Sequence, residues 1–364
     1  MNFLKNLFTK KEQPIKSNAD FWAWFAKNEK KFFDVVKSHK DIEKGFFDPL
    51  SEKLEELKDG YLYLAGMFDE NTAELVLTPD GDVNNIVFVE ELIADAPSIV
   101  GWKFTALKSA TGDINIKMGD YEFNTENLFF YSNDHAAYPD EIDITVVHND
   151  LNETNKQQVA NGTYIFLDNY LGELDFVTTI DSSNVIGKGE AQKELVPISK
   201  LKDFLKWRQK EFIEKYEDTT YNTDDDEYSL LKAEYENGNM LIATINTNLL
   251  NWEGKSSHPW LAVMTIKYDG EDNNGMPHSK DYEMMNVIED ELLSELKNTA
   301  DCLLVGRQTA QNEREIYFVC KDFREISKNL YQTQTKYVQK YEMEYEIYKD
   351  KYWQSFERFK NLHV

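Results

Sequence analysis

The sequence predicts an α+β protein with two domains, and three observations support this prediction. The chain has 364 residues, enough for about two domains of roughly 150 residues each. Hydrophobic residues make up 41% of it, including 22 Phe, 20 Tyr and 7 Trp, so packed cores can form. Runs with helical spacing of apolar residues are interspersed with runs that alternate as strands do. Together these features favour a folded chain over a disordered one.

Four segments are predicted along the chain. Residues 1–16 form a flexible basic arm, and residues 17–216 form an N-terminal α+β domain. Residues 217–229, EDTTYNTDDDEYS, are polar and acidic without periodicity, so we expect a linker or a long loop. Residues 230–364 form the C-terminal domain. An alternative for the arm is a short helix on a membrane surface, carried by Phe3, Leu4, Leu7 and Phe8.

The N-terminal domain begins with two predicted helices. Ser17, Asn18 and Asp20 are candidate N-caps for a helix with Trp22, Phe25, Phe32 and Val36 at helical spacing. The second helix ends at Gly60. The following runs are interpreted, in order, as strands YLYLAGMF and AELVLT, helix NNIVFVEELIADAP, strand GWKFTALK, strand EIDITVVHND, a helix over 152–171, strand LDFVTTID and a helix from Ser199. This order suggests a diverged duplicate of the C-terminal module.

The C-terminal domain has the clearest pattern. After a short helical segment, LLKAEYENG, strands MLIATINTNLL and PWLAVMTIKY precede a helix over 279–299. The hairpin CLLVGRQTA/REIYFVCKDF, a helix through Ile326 and Leu330, and strand EMEYEIYKDKYW complete it. The order ββαββαβ predicts a ferredoxin-like sheet with an extra leading strand. Such a sheet has its helices on one face, which leaves the other face available for docking.

The charge of the chain restricts its partners. Asp and Glu number 66 against 40 Lys and Arg, for a net charge of −26. A surface this negative repels nucleic-acid phosphates and anionic membranes and favours basic proteins or cations. The alternative is that the charge only maintains solubility.

Two cysteines do not make a disulfide framework. With Gln311-Asn312 as a two-residue turn, Cys320 is expected opposite Leu303, which would place Cys302 on the other face of the hairpin. Free thiols fit a reducing cytoplasm. No run reaches the ~18–20 apolar residues of a membrane-spanning helix, and the N-terminus lacks the apolar core of a signal peptide.

Candidate sites are few. The loop DGEDNNGMP from Asp269 carries oxygen ligands, but it has Asn274 where a calcium-binding EF-hand loop needs Gly, so we expect a strand-to-helix turn. His258 has no second ligand at metal-binding spacing, and neither a metal nor a cofactor is predicted. Arg307 and Arg314 are expected on one face of the hairpin, where their partners would be internal carboxylates or a bound acidic ligand.

The motifs WEGKSSHPWLAVMTIKYDGEDNNGMP, VGRQTAQNEREIYFVCKDF and YKDKYW resemble a bacterial family, domain of unknown function 695. The resemblance covers residues 225–360, and the first 215 residues look like the domain that accompanies it in Bacteroidetes-type proteins. No catalytic residue follows from this resemblance. Similar domains occur beside one that resembles the ribonuclease E inhibitor called regulator of ribonuclease activity B, which implies a small acidic protein that binds another protein.

The leading hypothesis is therefore a cytoplasmic, non-enzymatic module that binds another, basic protein, as an inhibitor or immunity protein does. Its partner is not expected to be nucleic acid. The alternative is a small-ligand-binding protein or an enzyme with a cleft between the two domains. In that case Arg307, Arg314 and His258 would contribute to the site.

Overall fold

The computed structural model describes residues 14–112, 114–296 and 301–360. The predicted basic arm lies outside these residues except for its last three. Helices and sheets are both abundant, so the α+β prediction is confirmed. Within the described part of the chain, no helix combines the length and apolarity needed to cross a membrane.

The chain divides into two compact units, residues 1–108 and 109–364. The acidic segment that was predicted as the linker, residues 217–229, therefore lies inside the second unit. It contains a 3₁₀ turn, Thr223–Asp225, and leads directly into a strand. The structure thus places the division at residue 108, about a hundred residues before the predicted boundary.

The first unit packs three helices against a three-stranded sheet. Its elements are α1 (Asn18–Ser38), a π-helical turn (Glu43–Phe47), α2 (Asp48–Leu57), β1 (Leu62–Asp69), β2 (Thr72–Thr78), α3 (Val83–Ala94) and β3 (Trp102–Ala106). The strand order is β1-β2-β3, with β2 and β3 parallel. Ser17 caps α1 as expected, since its side chain accepts a hydrogen bond from the Asp20 amide.

The second unit begins with a four-stranded sheet. Its elements are β4 (Ile116–Met118), β5 (Tyr121–Phe123), β6 (Leu128–Asn133), β7 (Asp143–His148), α4 (Lys156–Leu171), α5 (Glu173–Thr179), β8 (Ser182–Gly187), β9 (Val196–Pro197) and α6 (Leu201–Tyr216). The order is β8-β7-β6-β9, and β4 and β5 pair separately. The run LDFVTTID was wrongly predicted as a strand. Most of it forms α5, which completes the crossover from β7 to the parallel strand β8.

A six-stranded sheet forms the rest of the second unit. Its elements are β10 (Tyr228–Glu234), β11 (Met240–Asn246), α7 (Thr247–Leu250), β12 (Trp260–Lys267), α8 (Ser279–Leu296), β13 (Cys302–Ala310), β14 (Glu313–Cys320), α9 (Arg324–Tyr337), β15 (Met343–Lys349) and α10 (Glu357–Lys360). The order is β10-β11-β13-β14-β12-β15. The predicted helical segment LLKAEYENG is wrong, because most of it is β10, which pairs with β11 along its whole length.

Both helical crossovers in this sheet are split. Helix α8 joins β12 to β13, and α9 joins β14 to β15, yet another strand lies between the members of each pair. On one face Trp260, Ala262, Met264 and Ile266 of β12 are buried, together with α8 and α9 residues such as Ile288 and Leu330.

The opposite face is only partly covered, which corrects the expectation of a free face. Trp353, Phe356 and Phe359 from the C-terminal segment and Leu249 and Leu250 from α7 join Leu261 and Val319 in one apolar cluster. Further along β12, the side chains of Val263, Thr265 and Lys267 on this face are only half-buried. This part of the face remains accessible.

The β13–β14 hairpin follows the predicted register only near its turn. Thr309 lies opposite Arg314 and Arg307 opposite Ile316, as expected. A β-bulge between Leu304 and Gly306 then shifts the pairing by one residue. Cys302 therefore lies opposite Cys320, and the prediction that the two cysteines occupy different faces is wrong.

Candidate functional site

The two arginines of the hairpin lie on one face but already have internal partners. Arg307 Nη1 contacts Glu289 Oε1 at 2.6 Å. Arg314 is fully buried, where it donates to Thr309 Oγ1 (3.1 Å) and Asn286 Oδ1 (2.8 Å). Its guanidinium also lies 4.9 Å from the centre of the Tyr282 ring. Burial and the neighbouring Arg307 lower the pKa of Arg314. Arg307 therefore has an internal carboxylate partner, as one of the two alternatives expected, whereas the hydrogen-bond partners of Arg314 are neutral.

His258 does not join the arginines. It precedes β12 at the end where Trp260 pairs with Cys320, whereas Arg314 pairs with Ile266. Six residues of strand separate these two positions by about 20 Å. The imidazole is 1% exposed, and Nδ1 lies 2.8 Å from Ser257 Oγ. Burial, assisted by the charge of Lys321, lowers the pKa of His258 to about 4. The three predicted residues therefore do not form one site.

The loop after Asp269 is a turn that connects strand β12 to helix α8, as the sequence predicts. Asn274 and Gly275 adopt positive φ angles of 53° and 76°. The Gly275 carbonyl accepts hydrogen bonds from the Asn312 amide (2.9 Å) and the Tyr268 hydroxyl (2.9 Å), which fasten the loop to the hairpin turn. Among the described residues, no group of three or more His, Cys, Asp or Glu is placed to hold a metal ion.

A cavity of about 280 Å³ lies within the second unit, between the regions of its four-stranded and six-stranded sheets. Its walls combine Ile142, Leu174, Phe212 and Ile213 from the first sheet region with Pro259, Trp260 and Phe323 from the second. In the part of the chain that the structure describes, one acidic side chain, Asp322, and four basic side chains line it. The basic ones are Lys321, Arg324, Lys349 and Lys351. This cationic lining contrasts with the negative charge of the whole chain.

Asp181 holds two of these lysines. Its carboxylate contacts Lys349 Nζ at 2.7 Å and Lys351 Nζ at 2.6 Å. Lys349 also donates to the Thr178 carbonyl at 2.6 Å. Burial lowers the pKa of Lys349 to about 8, although Asp181 opposes this effect. Both ammonium groups are therefore satisfied by protein acceptors. Because Asp181 precedes β8 and Lys349 ends β15, the cluster joins the four-stranded sheet to the six-stranded sheet.

The accessible part of the six-stranded sheet is acidic. In one row across it, Glu315 and Glu344 flank Thr265, and in the next row Tyr317 and Glu346 flank Val263. We call this surface the acidic face; its carboxylates are Glu313, Glu315, Glu342, Glu344 and Glu346. Lys267 contacts two of them, Glu342 at 2.7 Å and Glu344 at 2.9 Å. Arg358 contacts Glu315 more weakly, at 4.0 Å.

A groove of about 400 Å³ crosses the acidic face. Val263 and Thr265 lie beneath it, and Glu315, Glu344 and Glu346 supply carboxylates. Among the described residues, the aromatic side chains on this face that line it are Tyr317, Tyr348 and Phe356, and Arg358 lies 5.5 Å from the centre of the Tyr317 ring. Carboxylates beside aromatic rings form a surface that attracts cations by charge and by cation–π interaction.

The carboxylates of the acidic face repel one another. Burial raises the pKa of Glu313, and the charges of Glu315 and Glu344 raise it further. Like charges on neighbouring strands destabilise a sheet. The alternating Glu342, Glu344 and Glu346 are visible in the sequence, but only the pairing of β15 and β14 with β12 shows that they share a surface with Glu315.

The comparisons with known proteins concern this part of the chain. No curated protein and no solved structure matches the sequence. Residues 234–359 match the sequence model of a family of unknown function (DUF695). That segment contains the whole acidic face and its groove, and the predicted resemblance of the C-terminal part is confirmed. The C-terminal part of the chain is thus similar to a family whose description names no activity.

Proposed function

We propose that the chain is a protein-binding module whose acidic face accepts a basic segment of a partner protein. The observation that carries the proposal is the groove in which Glu315, Glu344 and Glu346 stand beside aromatic rings on an accessible sheet surface. An arginine or lysine side chain of the partner would enter this groove. Its charge would relieve the repulsion between the carboxylates, which adds to the effect of burial in raising the pKa of Glu313.

The accessibility of the carboxylates supports this proposal. The Glu344 side chain is 64% exposed, whereas that of Glu315, at the wall of the groove, is 23% exposed. Glu315 Oε2 already accepts hydrogen bonds from the Tyr317 hydroxyl (2.8 Å) and from Gln308 Nε2 (3.0 Å), so a cation of the partner would contact its other oxygen. That oxygen is less screened by water than the exposed Glu344 carboxylate, which favours a stronger interaction. The exposed ones would mainly accelerate association, assisted by the net charge of −26.

The biological part of the proposal follows from the same chemistry. A module that neutralises a basic surface acts as an inhibitor or immunity protein does, by covering a partner such as a nuclease or a toxin. We place this role in the cytoplasm of a Bacteroidetes-type bacterium, the origin that the sequence resemblance implies. No chemical step is assigned to the acidic face.

A charged peptide tests the proposal. Fluorescence anisotropy would measure binding of labelled hexa-arginine and of hexa-citrulline, which has the same shape without the charge. We expect hexa-arginine to bind, with an affinity that falls as ionic strength rises from about 0.01 M to about 1 M. Hexa-citrulline should bind at least about tenfold more weakly.

Matched variants localise the binding. The double variant Glu344→Gln/Glu346→Gln should weaken hexa-arginine binding by about tenfold. The control Glu43→Gln/Glu52→Gln removes two exposed carboxylates of the first unit, and thus the same charge. Equal loss in both variants would show that only the net charge matters and would contradict a site at the acidic face.

The cationic cavity favours a second candidate function, the binding of a small acidic ligand. The supporting observation is its basic lining beside apolar walls such as Trp260 and Phe323. Lys321 contacts Asp301 only at 3.7 Å, whereas Arg324 pairs with Asp322 at 2.8 Å. Such a cavity suits a carboxylate with an apolar body. It lies between residues of the two predicted domains, although its residues differ from the three that the sequence suggested.

A pair of isosteric compounds tests this second function. Benzoate should raise the melting temperature of the chain more than neutral benzamide at the same concentration. The variant Lys321→Met should abolish the difference, and Lys232→Met, which changes an exposed lysine of β10, should preserve it. Equal effects of the two compounds would rule this function out.

A further inference from the structure

The hairpin of β13 and β14 brings the two cysteines of the chain face to face. Cys302 lies directly opposite Cys320, and both are reduced. The bulge at Val305 creates this register, and Gly306 permits the bulge with φ of 144°. A Cβ at that position would lie 2.1 Å from the Thr244 carbonyl oxygen, so the site accepts only glycine.

The backbone hydrogen bonds identify the kind of pair that the cysteines form. The Lys321 amide donates to the Asp301 carbonyl at 2.8 Å, so the neighbouring pair, Cys302 and Cys320, is non-hydrogen-bonded. Cα atoms in such pairs lie about 4.5 Å apart, within the range of about 4.4–6.8 Å that a disulfide spans. The two thiols are in hydrogen-bond contact, so the register places them where a disulfide can form.

The two thiols differ in their surroundings. Cys320 is fully buried, and burial together with a hydrogen bond to Cys302 raises the pKa of its thiol. Cys302 is partly exposed and lines a pocket of about 500 Å³ with Leu293, Leu304 and Phe318. A small oxidant therefore reaches the Cys302 thiol first, whereas the Cys320 thiol is shielded from solvent.

We propose that Cys302 and Cys320 are a redox-active dithiol, which a small disulfide such as glutathione disulfide converts to an intramolecular disulfide. The Cys302 thiolate attacks one sulfur of glutathione disulfide, forms a mixed disulfide and releases one glutathione thiolate. The Cys320 sulfur then attacks the Cys302 sulfur, the bond between Cys302 and glutathione breaks, and the proton of Cys320 passes to the departing glutathione thiolate. One protein dithiol and one glutathione disulfide give one protein disulfide and two glutathiones. This site is independent of the proposed binding function.

Mass spectrometry of the intact folded chain in glutathione redox buffers tests the proposal. We expect a product lighter by two hydrogen atoms, and digestion should yield one cross-linked peptide that contains both cysteines. Because the chain has two cysteines, any intramolecular disulfide must be this one. The folded chain should form it at least about tenfold more readily than the chain in urea, where the sulfur atoms meet only by chance.

Two variants resolve the order of the steps. Cys320→Ala should accumulate a glutathione adduct at Cys302, because no second thiol displaces it. Cys302→Ser should remain unmodified, since Cys320 is buried. A wild-type chain that stays reduced, retains the adduct, or links two chains would overturn the proposal.

Discussion

At the residue scale, the buried imidazole of His258 makes stability depend on pH. The Ser257 hydroxyl donates to the Gly254 carbonyl at 2.7 Å, so its oxygen is left to accept from Nδ1–H of His258. Nε2 of the imidazole is then unprotonated, and it has no hydrogen-bond partner among residues 14–112, 114–296 and 301–360. The structure therefore holds His258 in its neutral form.

The sign of the effect follows from the lowered pKa. The folded value is about 4 against an ordinary value of 6.5, so the unfolded chain binds the proton more readily. The stabilisation is fully present above the ordinary value and is lost as the pH falls toward the folded value. We predict that His258→Asn removes this dependence. The difference in unfolding free energy between wild type and variant should fall by about 3 kcal/mol across this range in urea titrations. Parallel pH profiles of the two proteins would contradict this account.

Arg314 gives a second prediction at this scale. Removing a buried, hydrogen-bonded guanidinium leaves Asn286 and Thr309 without their donor. Arg314→Ala should therefore lower the free energy of unfolding by about 3 kcal/mol, measured by urea denaturation. Arg314→Met keeps much of the volume and removes the desolvation cost, so it should cost less than half as much. If both variants lose the same small amount of unfolding free energy, the contacts of Arg314 with Asn286 and Thr309 do not stabilise the fold.

The sequence could indicate these residues but not their partners. Their register near the turn follows from the two-residue loop at Gln311. Glu289 and Asn286 come from α8, far from the hairpin in sequence, and only the packing of that helix brings them to the arginines. The pairing of β12 with β14 is likewise not visible in the residue spacing. Only that pairing shows that His258 and Arg314 lie at opposite ends of β12.

At the element scale, Gly306 decides the geometry of the hairpin. Because an added Cβ would meet the Thr244 carbonyl, we predict that Gly306→Ala lowers the free energy of unfolding by about 3 kcal/mol. Gly66→Ala is the matched control, since β1 leaves open space around that position. Thermal and urea unfolding of the two variants should differ clearly. A tolerated Gly306→Ala would show that the bulge is dispensable.

The element predictions were wrong where local pattern competed with long-range pairing. An isolated glycine within a strand is a known sign of a bulge, so the shift at Gly306 could have been expected from VGRQ. The segment LLKAEYENG contains good helix formers such as Leu, Lys, Ala and Glu. Pairing with β11 outweighs that propensity and makes most of it a strand. In α5 the error was the reverse: Val177, Thr178 and Thr179 are β-branched and favour a strand, yet they lie in a helix.

At the scale of the whole molecule, the Asp181 cluster explains why the division at residue 108 differs from the predicted one. Asp181 from the four-stranded sheet region binds Lys349, the last residue of β15, and Lys351, two residues later, so these regions share one compact unit. An acidic, aperiodic segment such as 217–229 indicates a loop. Its composition does not show whether the regions before and after it are in contact with each other.

A substitution tests this coupling. Asp181→Asn leaves two buried ammonium groups without their carboxylate, so we predict a loss of about 3 kcal/mol in unfolding free energy. Asp175→Asn, at an exposed position nearby, should cost far less. Denaturant titrations of both variants provide the comparison. Similar losses would mean that the cluster does not hold the second unit together.

The central claim is that the acidic face binds a basic segment, and hydrogen–deuterium exchange measured with and without hexa-arginine tests it most directly. We predict slower exchange of backbone amides in residues 343–348 of β15 and residues 313–317 of β14 when the peptide is bound. Residues 321–324 beside the cationic cavity should be unaffected. Protection confined to residues outside β12, β14 and β15 would contradict the claim.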